Sequence, residues 1–196
     1  MATTDDKPHI LVIVGSTRDG RFGDTVGRWF MRRADDRADL AFELVDLRDW
    51  IFEYYDRPLP ATVSEYDEKA QRWAEIIGPA DGFVIVTPEY NHGYPAVLKS
   101  ALDAVYREWN RKPIAFVSYG GWSAGTRAMQ QLRQVAIELQ MAPIRASVSI
   151  QFAQRVFGPD GNPQNPDMFD KAATILLDDL SWWAHALRQA RLATTT

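Results

Sequence analysis

One short segment near the N-terminus carries residue types that bind phosphate. Ser16 and Thr17 offer hydroxyl donors, and Arg18 and Arg21 offer cationic, fork-shaped donors that match phosphate oxygens. We therefore predict a phosphate-binding loop over residues 16–23. Its predicted contact residues are Ser16, Arg18, Arg21, Phe22 and Gly23.

The elements around this loop are those that such a site requires. The continuous apolar run from Ile10 to Val14 predicts a buried strand. After the loop, Val26, Phe30 and Ala34 recur at helical spacing. A strand, a polar loop and a helix together place free backbone N–H groups and the positive end of a helix in front of an anion. An ordinary strand-to-helix turn with two solvated arginines is the alternative interpretation.

The glycine spacing in this loop excludes two phosphate-binding fingerprints. Gly15, Gly20 and Gly23 do not form G-x-G-x-x-G, so the dinucleotide-binding fingerprint is absent. The pattern G-x-x-x-x-G-K-[ST] is absent as well, which excludes a P-loop nucleoside triphosphatase. These absences favour the phosphate of a mononucleotide or a flavin.

Two more loops with unusual composition follow later apolar runs. In the segment from Pro88 to Asn91, the proline restricts the backbone, and we expect Tyr90 to lie against a flat ring. In the segment from Ser118 to Gly121, two glycines let the main chain approach a ligand closely. The predicted contact residues are Pro88, Glu89, Tyr90, Asn91, Ser118, Tyr119, Gly120 and Gly121.

No side chain near these loops is assigned a catalytic role. Glu89 is interpreted as an exposed loop carboxylate rather than an acid or base. His92 is a lone loop histidine, which is more often a surface residue than a proton donor. The three histidines of the chain are scattered, so we also predict no metal site.

Five apolar strands alternate with five helical segments along the chain. The strands are predicted at residues 10–14, 39–47, 82–87, 113–119 and 143–150, and the first two helices at residues 24–35 and 64–77. This alternation predicts an α/β fold in which helices cover both faces of a five-stranded parallel sheet. A flavodoxin-like three-layer sandwich with strand order 2-1-3-4-5 is the leading topology. In that order the three unusual loops meet at one crevice.

Composition narrows the class of protein. With 196 residues, of which 46% are hydrophobic, the chain suits one domain over residues 1–196, with loose termini at 1–8 and 191–196. A formal net charge of -4 argues against nucleic-acid binding. No apolar run approaches the ~20 residues of a membrane span. The chain has no cysteine and a polar N-terminus without a signal segment, so we predict a cytoplasmic protein.

The three loops together resemble the NADPH-dependent FMN reductase family, which includes chromate-, quinone- and azo-dye-reducing flavoproteins. The resemblance covers roughly residues 9–150. The segments that carry it are Gly15-Ser16-Thr17-Arg18, Pro88-Glu89-Tyr90-Asn91 with the helix from Pro95 to Asp103, and Ser118-Tyr119-Gly120-Gly121.

The resemblance implies a flavodoxin-like fold that binds FMN non-covalently, with NADPH or NADH as co-substrate. It implies that a hydride passes from NAD(P)H via FMN to a small acceptor, such as a flavin, a quinone, an azo compound or a metal oxyanion. It also implies a homodimer or homotetramer with FMN near the subunit interface. Such an exchange needs positioning more than an acid or base, which agrees with the lack of a predicted catalytic residue.

Within this resemblance, Ser16 and Arg18 match the family's phosphate-binding serine and arginine. The other matches are Pro88, Glu89, Tyr90 and Asn91 for the ring-side segment, and Ser118, Gly120 and Gly121 for the third FMN loop. The sequence departs from many members where a serine and an asparagine commonly follow the arginine, because Arg21 and Gly23 stand there. Arg21 then either contacts the phosphate or points to solvent.

Other interpretations stay open at the level of sequence. A flavodoxin-type electron carrier would share the fold and FMN but lack activity on NAD(P)H, and a nucleotide-binding module would lack redox chemistry. The aromatic loop over residues 50–55 and the loop over residues 151–165 are candidates to shape the acceptor pocket. Alternatively, Trp50 and Phe52 fill the edge of the core.

Overall fold

A parallel sheet forms the centre of the computed structural model, which describes residues 7–50, 52 and 65–194. Its strands are β1 His9–Val14, β2 Ala41–Asp46, β3 Gly82–Pro88, β4 Pro113–Gly120 and β5 Ala142–Gln151. They lie in the order β2-β1-β3-β4-β5, and every neighbouring pair is parallel. This arrangement confirms the predicted α/β, flavodoxin-like fold.

Helices cover both faces of the sheet, as predicted. They are α1 Gly23–Ala34, α2 Glu68–Ile77, α3 Ala96–Asp103, α4 Thr126–Glu138, α5 Ala153–Val156 and α6 Pro166–Thr194. The apolar side chains of α1 and α6 pack into one core, and those of α2, α3 and α4 pack into the other. The short helix α5, directly after β5, is an addition to the five predicted helices.

The two cores explain the continuous apolar runs. In β1, Ile10 and Val12 belong to the core under α1 and α6, whereas Leu11 and Ile13 belong to the opposite core. A strand covered on both faces must be apolar at every position. The edge strand β2 is covered less, and only Val45 of its six residues is buried, which explains its imperfect alternation.

Two predicted boundaries are wrong because side chains cap the elements. Helix α2 begins at Glu68 rather than at residue 64, since the Asp67 carboxylate accepts a hydrogen bond from Ala70 N at 2.7 Å. Residue 64 lies outside the described part of the chain. Strand β2 ends at Asp46, whose side chain accepts from Arg48 N at 2.8 Å and starts a 3-10 turn.

The loose terminus predicted from residue 191 is also wrong over residues 191–194, because α6 continues to Thr194. Arg191 Nη1 donates to the carbonyl oxygen of Arg111 at 2.8 Å, and its Nη2 donates to Asp81 Oδ1 at 2.5 Å. These contacts tie the last turns of α6 to the loops at the amino ends of β3 and β4. Within the described ranges, no helix combines the length and apolarity that a membrane crossing requires.

The described aromatic residues of the 50–55 loop fill the edge of a core. The rings of Trp50 and Phe52 lie 5.1 and 5.6 Å from the ring of buried Trp73. Trp73 itself donates its indole N–H to the carbonyl oxygen of Ala101 at 2.9 Å. The core-filling alternative therefore holds for Trp50 and Phe52. Tyr54 and Tyr55 lie outside the described residues.

Lys112, which directly precedes β4, has a buried side chain that reaches the end of α2. Lys112 Nζ donates to the carbonyl oxygens of Ile77 and Gly78 at 3.0 and 2.7 Å, and the residue is 5% exposed. Burial, together with the nearby positive charge of Arg191, lowers the pKa of Lys112 to about 7. In the unfolded chain the same group keeps the ordinary lysine pKa of about 10.4.

We predict that Lys112→Met removes a pH dependence of stability. Between about pH 7 and about pH 10 the unfolded chain binds a proton that the folded chain lacks, so folding stability due to Lys112 rises with pH. Urea unfolding at about pH 7 and about pH 9 should show a wild-type gain in free energy of unfolding that the variant lacks. The control is Lys99→Met, at a half-exposed lysine paired with Asp103. Equal pH slopes for wild type and Lys112→Met would contradict the assignment.

Candidate functional site

A cleft of about 500 Å³ opens at the carboxyl edge of the sheet, beside the ends of β1, β3, β4 and β5. Parallel strands bring their carboxyl ends to one edge, which is why loops distant in sequence meet there. The cleft is lined by Arg18, Asp19, Gly20, Arg21, Phe22, Pro88, Glu89, Tyr90, Tyr119, Gly120, Gly121, Phe152, Ala153, Gln154 and Arg155.

Most of the predicted contact residues line this cleft. Three others lie beneath its walls: Ser16, Gly23 and Ser118 are buried and do not line it. Asn91 is exposed and lies outside the lining. The geometry thus brings the three predicted loops together, while the contribution of each residue to ligand binding stays a prediction.

Ser16 joins two walls of the cleft. Its hydroxyl is fully buried and lies 2.7 Å from the hydroxyl of Tyr90, across 74 positions of sequence. The preceding residue, Gly15, donates its N–H to the carbonyl oxygen of Val86 at 2.8 Å. A side chain at Gly15 would meet a Leu98 methyl at 3.0 Å and the Val86 carbonyl oxygen at 3.2 Å, so a larger residue there would require its neighbours to shift.

The alternative in which Arg21 points to solvent is wrong, while a contact between Arg21 and a phosphate stays a prediction. Its side chain is 1% exposed, and its guanidinium pairs with Asp46, at 2.7 Å from Nη1 to Oδ1, and with Asp24. It also donates to the carbonyl oxygen of Ser16. Burial alone would lower the pKa of Arg21, but the hydrogen bonds and charges of the two carboxylates raise it. The guanidinium therefore holds the loop against the end of β2.

Arg18 differs from Arg21 in being available to a ligand. The residue is exposed, and its guanidinium carbon lies 5.7 Å from the centre of the Tyr90 ring. Among the described residues, no carboxylate forms an ion pair with it, whereas its carbonyl oxygen accepts from Arg48 Nη2 at 3.1 Å. The loop backbone is thus fixed while the Arg18 cation stays free to meet an anion.

The start of α1 adds amide donors next to Arg18. Phe22 occupies the cap position of α1, and in the described structure no side chain caps this end. An uncapped helix start leaves N–H groups unsatisfied and favours a negative charge in front of it.

The expectation that Glu89 is an exposed loop carboxylate is wrong. Its side chain is 8% exposed, and Oε1 lies 2.8 Å from Arg127 Nη1 while Oε2 accepts from Arg127 N at 3.1 Å. Burial would raise the pKa of Glu89, but hydrogen bonds from Ser123 and Arg127 outweigh it and lower the pKa. The carboxylate therefore caps the start of α4 as an anion.

Asn91 and His92 form the tip of a tight turn. Tyr90 N and Gly93 N each donate to the other residue's carbonyl oxygen, at 2.8 and 2.9 Å. Asn91 and His92 both have left-handed backbones, with φ of 49° and 71°. The turn holds the backbone of Tyr90 at the wall and directs Asn91 away from it, and His92 is exposed as expected.

The third loop is shaped by a glycine beyond the predicted segment. Gly125 has φ 80°, and a side chain there would lie 2.8 Å from Tyr119 N. The Ser118 hydroxyl donates to the carbonyl oxygen of Ala124 at 2.9 Å. These contacts fold the loop back on itself and leave Gly120 and Gly121 as an open backbone wall of the cleft.

The sequence of residues 8–155 matches the profile of a protein family described as NADPH-dependent FMN reductase. This match spans most of the chain and includes all three predicted loops. The chain belongs to this family. It is therefore an enzyme that uses FMN and NAD(P)H, and the expectation drawn from the three motifs is confirmed.

Two relatives of this FMN reductase and one solved structure agree with the assignment. The NAD(P)H-dependent FMN reductase C4B3.06c of Schizosaccharomyces pombe is 43% identical over 148 residues, which cover 73% of this chain and 74% of that protein. The NAD(P)H-dependent FMN reductase LOT6 of Saccharomyces cerevisiae is 35% identical over 142 residues, covering 66% and 74%. FerB, an NAD(P)H:(acceptor) oxidoreductase from Paracoccus denitrificans, shares the fold with a TM-score of 0.74 at 21% identity, covering 91% and 98%.

The residues of this reductase around the cleft suit FMN. Arg18 and the start of α1 offer charge and amide donors for a phosphate, and Tyr90 and the two glycines offer an aromatic face and open backbone for a ring. The buried Tyr119 hydroxyl has no hydrogen-bond partner among the described residues, as is also true of Arg21 Nε. Burial and the neighbouring Tyr90 raise the pKa of Tyr119, so its hydroxyl stays protonated and able to donate.

The fourth wall is formed by residues 152–155, which were not among the predicted FMN contact residues. The loop over residues 151–165 was a candidate for the acceptor pocket, but only its start lines the cleft. The later part is held on α1, where Arg32 Nη2 donates to Gly161 O at 2.7 Å and to Asn162 Oδ1 at 2.8 Å. The sequence feature that could have predicted this wall is the end of β5, because the carboxyl ends of all parallel strands meet at the edge where the cleft opens.

We predict that Gly23→Ala destabilises the protein through Tyr119. The new Cβ would lie 2.9 Å from the Tyr119 hydroxyl oxygen and 3.1 Å from a Val14 methyl, and such overpacking typically costs ~1–3 kcal/mol. Tyr119→Phe alone should cost little, because the hydroxyl has no partner. In the Tyr119→Phe background, Gly23→Ala should cost less. Equal costs in the two backgrounds, measured by urea unfolding, would show that the hydroxyl is not the obstacle.

Proposed function

We propose that this FMN reductase holds FMN in the cleft at the carboxyl edge of the sheet and reduces small acceptors there. When bound, FMN supplies two-electron redox chemistry between NAD(P)H and an acceptor. The observation that carries the location is Arg18, a cation without an ion-pair partner in the described structure, beside the uncapped start of α1. Together they provide the charge and the amide donors that a phosphate group needs.

The predicted contact residues divide into two roles in this proposal. Contacts to FMN come from the lining residues Arg18, Phe22, Pro88, Glu89, Tyr90, Tyr119, Gly120 and Gly121. Supporting positions are held by Ser16, Gly23 and Ser118, which are buried behind these walls, and by Arg21, which lines the cleft but is bound to two carboxylates. Asn91 acts only through the turn that fixes Tyr90.

The chain's own residues orient and shield rather than transfer protons. Glu89 is ion-paired with Arg127 and its pKa is lowered, so at neutral pH it has no proton to give. Tyr90 is fixed from below by the Ser16 hydroxyl. A rigid wall of this kind contributes by positioning the two reactants, which is the main requirement of such an exchange.

Oligomeric state and location are further parts of the proposal. We propose a homodimer or homotetramer, supported by large apolar side chains that α6 exposes. These are Met168, Ile175, Trp182 and Leu192. The cytoplasmic location rests on the sequence alone, through the absence of cysteine.

We predict that Arg18→Gln weakens FMN binding and leaves riboflavin binding unchanged, because riboflavin lacks the phosphate. Loss of one charge-assisted contact should raise the FMN dissociation constant about tenfold or more. Quenching of flavin fluorescence during titration measures both affinities. The matched control is Arg28→Gln, at an exposed arginine of α1 that does not line the cleft.

The same preparations test catalysis. Wild-type protein loaded with FMN should lose its visible flavin absorbance rapidly when NADPH is added without oxygen. If Arg18→Gln weakened the binding of FMN and of riboflavin equally, the assignment of the phosphate contact to Arg18 would be contradicted. Retained FMN that NADPH barely reduces would indicate an electron carrier, and a chain that takes up no FMN would contradict the proposal that the cleft holds FMN.

A further inference from the structure

Two aromatic rings and an arginine form a corner at the fourth wall of the cleft. The Trp122 and Phe152 rings meet edge to face with centroids 5.1 Å apart, and the Arg155 guanidinium carbon lies 5.0 Å from the centre of the Phe152 ring. Phe152 and Arg155 line the cleft. We call Trp122, Phe152 and Arg155 the aromatic corner. None of these three residues has a part in the FMN assignment.

Backbone hydrogen bonds hold the corner in place. Phe152 has a left-handed backbone with φ 50°, which is unusual for a bulky residue. Its N–H donates to the carbonyl oxygen of Gly120 at 2.7 Å, and its own carbonyl oxygen accepts from Arg155 N at 2.7 Å. Gln151 Nε2 donates to the carbonyl oxygen of Trp122 at 2.9 Å. The corner is therefore preorganised, although its outer ring is open to solvent.

The corner supplies a second position for a negative charge. Three arginines line the cleft, and Arg21 is neutralised by its two carboxylates. In the described part of the chain, neither Arg18 nor Arg155 forms an ion pair. Three strand spacings separate the ends of β1 and β5, or about 14 Å at the usual interstrand distance. Since Arg18 and Arg155 follow strands this far apart, the Arg155 position suits a second anionic ligand better than it suits the phosphate beside Arg18.

The shape of the corner indicates which anion it suits. Trp122 is 84% exposed, so the face of its indole is available to stack on a flat ring. Arg155 lies on the Phe152 ring, which leaves the guanidinium edge free to donate to phosphate oxygens. A flat aromatic base carrying a phosphate group matches both features. Of the two possible electron donors, NADPH has such a group at its adenosine end and NADH lacks the additional phosphate.

We propose that the aromatic corner binds the phosphorylated adenosine of NADPH and makes this enzyme prefer NADPH to NADH. The inference rests on the proposed function, because it assumes that the donor approaches FMN in this cleft. Trp122 stacks on the adenine, and Arg155 binds the phosphate that distinguishes the two nucleotides. Each arginine thus binds a different ligand: Arg18 binds the phosphate of FMN, and Arg155 binds the phosphate of the electron donor.

Calorimetric titration of the FMN-loaded protein with NADP⁺ and NAD⁺ tests the proposal without turnover. Wild type should bind NADP⁺ at least about tenfold more tightly than NAD⁺, as one charge-assisted contact provides. Arg155→Gln should abolish this difference in affinity, and Trp122→Leu should weaken the binding of both nucleotides. The matched control for Arg155 is Arg145→Gln, at an exposed residue in the first half of β5.

Steady-state kinetics separates this proposal from the proposed function. Arg155→Gln should raise the KM for NADPH about tenfold and leave the kcat, the KM for NADH and the FMN affinity within about twofold. If wild type binds FMN but oxidises neither nucleotide, the proposed function fails. If it oxidises both and Arg155→Gln changes neither KM, only the corner assignment fails.

Two further outcomes would overturn the corner assignment. A change confined to the KM of an anionic quinone such as menadione sulfonate would assign Arg155 to the acceptor. A change of oligomeric state in Trp122→Leu, measured by sedimentation, would assign the exposed indole to a subunit interface. Unchanged sedimentation with a lost nucleotide preference is the expected result.

Discussion

The buried ion pair between Arg21 and Asp46 is the interaction on which the ligand-binding edge depends. It fastens the loop after β1 to the end of the neighbouring strand β2, and it consumes the charge of an arginine that would otherwise face the cleft. Removal of the Arg21 guanidinium would leave the Asp24 and Asp46 carboxylates without this cation and would detach the loop from β2. With this loop fixed, Ser16 reaches Tyr90 and Arg18 stands free beside the start of α1.

The arginines near the cleft show how identical side chains take different roles. Arg21 and Arg127 are each bound to carboxylates, so they shape loops and add little net charge to the cleft. Arg18 and Arg155 stack on aromatic rings instead, which supports their stems and leaves their donors open. In a chain with a formal net charge of -4, these two cations concentrate positive potential at the edge where we propose that anionic nucleotides bind.

The sequence predicted the fold well because strands buried on both faces are apolar throughout, and only a few topologies fit that pattern. It also located three walls as predicted FMN-contact loops, since those loops follow the strands, and it placed the fourth within the longer candidate loop over residues 151–165. It could not show whether an arginine or carboxylate has a partner: Asp46 and Arg127 lie 25 and 38 residues from Arg21 and Glu89. The left-handed backbone of Phe152 could not be predicted, because a phenylalanine rather than a glycine occupies that position.

The cleft takes residues from Arg18 after β1 to Arg155 after β5, a span that includes every strand of the sheet. A chain in which β5 has not yet joined the sheet lacks the fourth wall, so full ligand affinity requires the complete sheet. Free energy gained on binding is therefore available to the complete fold and to no partly folded state. With FMN in this cleft, as we propose, bound cofactor should slow amide hydrogen exchange throughout the sheet.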